Sequence, residues 1–312
     1  MKTRAFRGSA LAPALFLLTM LMCGCSGSAE RFDGGRAFVN LKAQVDCGPR
    51  VPGSEGHSKC LDLIVSYLEK QTKHVKVSRF SQKVDGKILE MANISAVINP
   101  EASEWVLLCA HWDTRPIADM EIDPKLKNKP IPGANDGASG VAVLMELSRI
   151  FAKTTPKIGV LFVFFDGEDY GRTDATMFFG SRYFAKNINA TSIPAWREDV
   201  RIRYGILLDM VGDKDLRIYR ERNSQDAAPK IVDKIWRTAS RMGYAEHFVD
   251  EVKYQISDDH LPLIAAGIKC VDIIDFDYGP WHTLDDTVDK CSAGSLEIVG
   301  RVVSSVVYSE KK

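Results

Sequence analysis

The sequence predicts an α/β fold, a three-layer sandwich with a central mixed, largely parallel β-sheet flanked by helices. Three observations carry that reading. Uninterrupted apolar runs such as "WVLLCA", "IGVLFVFF" and "YGILL" lack the alternation of a half-exposed strand, so both faces of their sheet must be covered. Stretches of helical periodicity lie between them, the order in which parallel strands are joined. Ahead of them, two alternating runs separated by "VDGK" read as an antiparallel hairpin.

In chain order, "SKCLDLIVSYLEKQ" sets Cys60, Leu61, Ile64 and Leu68 at helical spacing. "VKVSRF" and "MANISAVIN" are the hairpin strands. "WVLLCAHWD" is a buried strand ending in His111 and Asp113, and a Pro- and Lys-rich loop runs from Thr114 to Gly133. "GASGVAVLMELSRIF" is a helix with Val141, Leu144, Leu147 and Phe151 on one face. "KIGVLFVFF" is the next strand, "GSRYFAKN" a short helix, and "YGILLDMVG" a strand ending in Asp209. "PKIVDKIWRTASRMG" is a helix closed by Gly243. "IKCVDIIDF" is a later strand and "SLEIVGRVVSSVVY" the last helix.

The 312 residues balance 41 Lys and Arg against 41 Asp and Glu. No whole-chain field therefore draws nucleic acid or an anionic surface, and function must come from a local site. The N-terminus carries Lys2, Arg4 and Arg7 before an apolar run from Leu11 to Met22, the pattern of an export signal. Its end, "MCGC", resembles a bacterial lipobox, with Cys25 as the lipidated residue. The expected organisation is a signal peptide over 1–24, a tether over 25–36 and one domain over 37–312. The mature chain is then exported and held by its N-terminal lipid to a bacterial membrane, facing the periplasm or the cell surface. Cys47, Cys60, Cys109, Cys270 and Cys291 remain, without a CxxC pair that would suggest a cysteine zinc site. Cys47 and Cys60 are near enough in sequence to bridge, and a buried free thiol is the alternative.

The strand ends hold the chemistry. His111 and Asp113, Asp136 in "GANDGAS", Glu168 and Asp169 in "FFDGEDYG", Asp209, and His282 in "PWHTLDD" all fall at or after the carboxyl ends of strands. Ligands of open α/β sheets bind there. Carboxylates mixed with imidazoles suit zinc or a similar divalent metal. The bland readings are an N-cap for Asp136 and solvated side chains for His57, His74 and His247. His260 lies near the site with no partner visible in the sequence.

The ordered motifs "HWD", "GANDGASG", "FFDGED", "GSRYFA", "LLDMVG", "DDHLP" and "WHTLDD" resemble the zinc aminopeptidase superfamily of peptidase family M28. Within it the chain looks most like the glutaminyl-peptide cyclotransferases, or glutaminyl cyclases, from about Phe38 onward. The resemblance implies a zinc aminopeptidase-like sandwich with Asp136, Asp169 and His282 as metal ligands. Asp169 stands where many relatives have Glu, so its loop must approach the metal more closely. Glu168 matches the proton-transfer carboxylate, assisted by Asp258 and Asp209, and Trp281 matches the indole of the substrate pocket. One Zn2+ per subunit is implied, with His111 and Asp113 open as second-metal or supporting residues. The implied substrates are peptides or exported proteins with N-terminal glutamine. Two other readings stay open: a di-zinc aminopeptidase, and a catalytically silent surface-binding lipoprotein.

Overall fold

The computed structural model describes residues 30–311, together with residues 1, 3 and 5. The expected signal peptide and the lipidation position Cys25 lie outside the described residues. The first helix, α1 (Gly34–Val45), opens on Asp33, whose carboxylate accepts from the Arg36 backbone N–H. Phe32 is buried, and a Cβ at Gly300 would meet its ring at 2.3 Å. Ordered packing therefore reaches back into the stretch expected to be a tether.

The remaining elements are α2 (Glu55–Glu69), β1 (Val75–Val84), β2 (Lys87–Ile98), β3 (Glu104–His111), α3 (Ser139–Lys153), β4 (Gly159–Phe165) and α4 (Phe179–Lys186). They continue with β5 (Arg201–Asp209), β6 (Ile218–Arg220), α5 (Arg222–Ala227), α6 (Pro229–Arg241) and β7 (Phe248–Val252). The chain finishes with α7 (His260–Ala265), β8 (Cys270–Ile274) and α8 (Ala293–Tyr308).

Six strands form the main sheet in the order β1-β2-β4-β3-β5-β8. The hairpin β1–β2 joins β4 antiparallel, whereas β4, β3, β5 and β8 run parallel. Every residue of β4 is buried, as its unbroken apolar sequence requires of a strand covered on both faces. One face packs against α1, α2, α3, α6 and α8, and α4 and α7 cover the other. The mixed three-layer sandwich is the predicted one.

The sequence reading missed α1, α5 and the small parallel pair β6–β7. These are short or start on Gly-Gly, so no periodicity long enough to recognise exists; contacts with the main body hold them. None of the described helices is long and apolar enough to cross a membrane.

Candidate active site

Parallel register builds the site. His111 at the end of β3 pairs with Phe165 at the end of β4, and Asp209 at the end of β5 pairs with Ile274 of β8. The strand ends therefore stand level, and the loops leaving them converge. Asp136 arrives from the loop between β3 and α3, Glu168 and Asp169 from the turn after β4, and His282 from the loop after β8.

Of the three trios of ligand-type atoms among the described residues, two form here, Asp136–Asp169–His282 and His111–Asp136–Asp209, each with its atoms within 4.8 Å of one another; Asp258–His260–Asp272 is the third. His282 Nε2 lies 3.4 Å from Asp169 Oδ1 and 3.6 Å from Asp136 Oδ2. His111 Nε2 lies 3.2 Å from Asp136 Oδ1 and 3.1 Å from Asp209 Oδ1. Asp136 thus offers one oxygen to each imidazole. The helix it precedes has Ala138 at its N-cap and no side-chain cap bond, which removes the capping reading for Asp136.

The supports are local and explicit. Gly167 has φ +68°, and a Cβ there would lie 2.4 Å from Met91 Sδ, so only glycine turns the chain out of β4 this sharply. The backbone N–H groups of Glu168 and Asp169 then donate to the two oxygens of Asp113, at 3.1 and 3.2 Å. Asp113 belongs to neither trio; it positions the acidic pair. Asp286 accepts from Asn135 N–H and Asp136 N–H and from the Tyr278 hydroxyl, fixing the loop that presents Asp136. Asp119 Oδ1 lies 3.4 Å from His282 Nδ1, and both Asp119 oxygens accept from Arg115, whose Nη1 also donates to Asp169. The long loop from Thr114 is therefore part of the site. Trp281 stacks on His282, ring centroids 3.9 Å apart.

His57 corrects the solvated reading. It is buried, its Nε2 lies 2.8 Å from Asp166 Oδ2, and its ring stacks on Trp112. Asp166 also accepts from Ala92 N–H, so the first acid after β4 is structural. His260 is buried between Glu221, at 3.3 Å, and Asp272, at 3.8 Å. Asp258, expected to assist Glu168, accepts from Asp259 N–H, and no Asp258–Glu168 hydrogen bond exists among the described residues. It acts on Glu168 through charge.

Electrostatics follow from crowding acids out of water. Burial, with Asp169, Asp258 and Asp259 nearby, pushes the Glu168 carboxyl well above its ordinary range. Burial and Asp209 do the same to Asp258. Burial would lower His111, but the charge of Asp209, the bond to it and the close carboxylates of Asp113 and Asp136 outweigh it and raise it well above normal. The donor set fits a metal ion. Asp136 Oδ2 and Asp169 Oδ2 are buried without a hydrogen-bond partner, and carboxylate oxygens and imidazole nitrogens, three to a site, are ligands that catalytic zinc takes.

Comparisons with known proteins agree with this site. The profile of Peptidase family M28 matches residues 93–307. A glutaminyl cyclase of Bacteroides thetaiotaomicron, solved with N-acetylhistamine, is 37% identical over 91% of this chain and 100% of its own, with a TM-score of 0.86. A structure described as a leucine aminopeptidase precursor from the same organism has the same identity and TM-score, over 91% of this chain and 99% of its own. The Drosophila melanogaster glutaminyl-peptide cyclotransferase is 24% identical over 288 residues, 81% of this chain and 76% of the relative. Profile, full-length structural match and converging acid–imidazole trios lead to one conclusion: the chain belongs to peptidase family M28.

Proposed function

We propose that this chain is a zinc-dependent glutaminyl-peptide cyclotransferase, converting N-terminal glutamine of peptides and proteins to pyroglutamate with release of ammonia. The observation that carries the reading is Glu168: a buried carboxyl, raised in pKa, directly beside a ligand-type trio with unpartnered oxygens. Likeness to glutaminyl cyclases among both the solved structures and the sequence relatives supports the branch.

Asp136, Asp169 and His282 would hold one Zn2+, which would supply Lewis-acid polarisation of the γ-carbonyl. The substrate's own α-amine attacks that carbonyl, so no external nucleophile is needed, and a curled bound glutamine closes the five-membered lactam at high effective molarity. Glu168 accepts the proton lost by the amine and returns it to the departing amide nitrogen, which leaves as ammonia. A carboxyl held above its usual pKa suits both directions of transfer. Asp258 sustains that shift through its charge, and Asp209 completes the acidic network by acting on Asp258. Trp281, fixed on His282 and packed with Phe276, walls the pocket against water.

A second reading rests on the His111–Asp136–Asp209 trio, which matches a second metal position of a di-zinc aminopeptidase. Mass spectrometry of peptides beginning with Gln or Leu separates the two. Loss of ammonia from the Gln peptide with the Leu peptide intact supports cyclisation; release of free leucine overturns it. We place the enzyme outside the cytoplasm, anchored through lipid on Cys25. Incorporation of labelled fatty acid that disappears in Cys25→Ser supports the anchor, and unchanged labelling refutes it.

A further inference from the structure

We infer that Cys47 and Cys60 form an intrachain disulfide that clamps the segment bracing the active-site loops. Cys47 follows the end of α1, and Cys60 lies one turn beyond Gly56 on the same face of α2. The two segments touch there: a Cβ at Gly56 would lie 2.9 Å from the Cys47 carbonyl oxygen and 2.4 Å from that of Pro49. Both side chains pack into the same apolar cluster, and as a thiol Cys47 donates its Sγ hydrogen to the Ala43 carbonyl at 3.3 Å. Cys60 is fully buried, whereas Cys47 borders a surface cavity of about 460 Å³ that it shares with Lys59, Pro116 and Pro130.

The other thiols are placed differently. Cys109 on β3 and Cys270 on β8 flank β5, Cys109 level with Leu207 and Cys270 level with Gly205. Two strand spacings, about 9–10 Å, separate their backbones. A disulfide spans Cα atoms no more than about 7 Å apart, so those two remain thiols. Cys291 is buried and Cys47 is the partly exposed member of the set.

The chemistry of the pair is asymmetric in the useful direction. The neighbouring Cys60 thiol, helped by the Arg50 and Lys59 charges, brings the Cys47 thiol down to about 7 despite partial burial. The neighbouring Cys47 and burial hold Cys60 well above its ordinary value. Cys47 is thus the attacking thiolate toward a small-molecule or protein disulfide. Its Sγ bonds to one donor sulfur and expels the other as a thiolate. Cys60 then gives up its proton, attacks Cys47 Sγ and expels the second donor thiolate. Two protein thiols are oxidised, and one donor disulfide is reduced to two thiols.

The clamp has a target. Between the two cysteines lie Arg50, which donates to the carbonyls of Trp112, Pro132 and Gly133, and His57, which holds Asp166. Closing the ring fixes both braces against the loops that carry Asp113 and Asp136.

The test treats the purified full chain with oxidised glutathione, then alkylates it in denaturant and maps tryptic peptides by mass. The expected result is a Cys47–Cys60 cross-linked peptide pair, with Cys109, Cys270 and Cys291 alkylated. Reduction of the oxidised chain should lower its melting midpoint by about 5 °C, and Cys47→Ala should abolish that reductant-dependent shift. Alkylation of both residues overturns the proposal. So does glutathione left on Cys47 with Cys60 alkylated, because it means the ring cannot close.

Discussion

Asp119→Ala tests whether the long loop after β3 shapes the metal site. Asp119 Oδ1 lies 3.4 Å from His282 Nδ1, and the two Asp119 oxygens accept from Arg115 Nε and Nη2 at 2.8 and 2.9 Å. The Asp119 side chain is 20% exposed and the buried Arg115 keeps Asp169 as a partner, so loss of the fork costs folding about 2 kcal/mol. The contact with His282 is different in kind. It fixes the ring plane, and with it the direction in which Nε2 faces Asp136 and Asp169. Removing a carboxylate that orients a ligating imidazole costs about 10–100-fold in metal affinity, or about 1.4–2.8 kcal/mol. Asp119→Asn keeps an acceptor oxygen without the charge and should fall between. Zinc affinity is read by competition with a chromophoric chelator, and folding by thermal denaturation of the metal-free chain. An Asp119→Ala protein that folds normally and binds zinc within about twofold of wild type would refute the reasoning.

Glu168→Gln should retain zinc and fold, while kcat for cyclisation falls by about 10²–10⁴-fold, measured as ammonia release. Unchanged turnover would remove Glu168 from proton transfer. His57→Ala strands Asp166, which keeps only the Ala92 N–H on Oδ2 and has no partner on Oδ1. The expected loss is about 3 kcal/mol in urea denaturation, with partial recovery when Asp166→Asn removes the stranded charge. Burial raises Asp275 to about 6 from an ordinary value of 3.8. The folded chain therefore holds that proton more tightly than the unfolded chain. Its stabilising contribution is full below about pH 4 and disappears as pH rises through about 6. Asp275→Asn, which cannot titrate, should show a deficit relative to wild type that grows as pH falls from about 7 to about 4. A pH-independent gap in melting temperature would refute the assignment.

The acidic strand ends were legible in the sequence because parallel register is a strong constraint. Once β3, β4 and β5 are recognised as buried strands, His111, Glu168 and Asp209 must lie on one edge. Asp169 follows from its adjacency to Glu168. The residues that support these were not legible, for a common physical reason: their partners are remote in sequence and their local surroundings look solvated. His57 sits in "GSEGHSKC", a polar stretch, yet its partner Asp166 is 109 positions away. Asp119 and Arg115 belong to a loop whose Pro and Lys content signals exposure. Asp286 was visible inside "WHTLDD" but undistinguished from Asp285, which is exposed. A buried side chain in a polar stretch reveals itself only when tertiary contacts are known.

The shorter acid at position 169 shows how such supports alter the chemistry that residue type alone suggests. An aspartate reaches one methylene less far than the glutamate of many relatives, and a side chain cannot stretch. The backbone can be brought in instead. Asp113, on the loop leaving β3, accepts from the N–H groups of both Glu168 and Asp169 and draws their turn toward the strand that ends in His111. The left-handed conformation of Gly167 lets the chain make that approach without meeting Met91. Arg115 then takes one oxygen of Asp169, and the other is buried without a partner. The carboxylate is thereby oriented as well as advanced, with one oxygen neutralised by a guanidinium and one left for a cation. Position 169 tolerates the shorter acid because Asp113, Gly167 and Arg115 together do what the extra methylene would otherwise do.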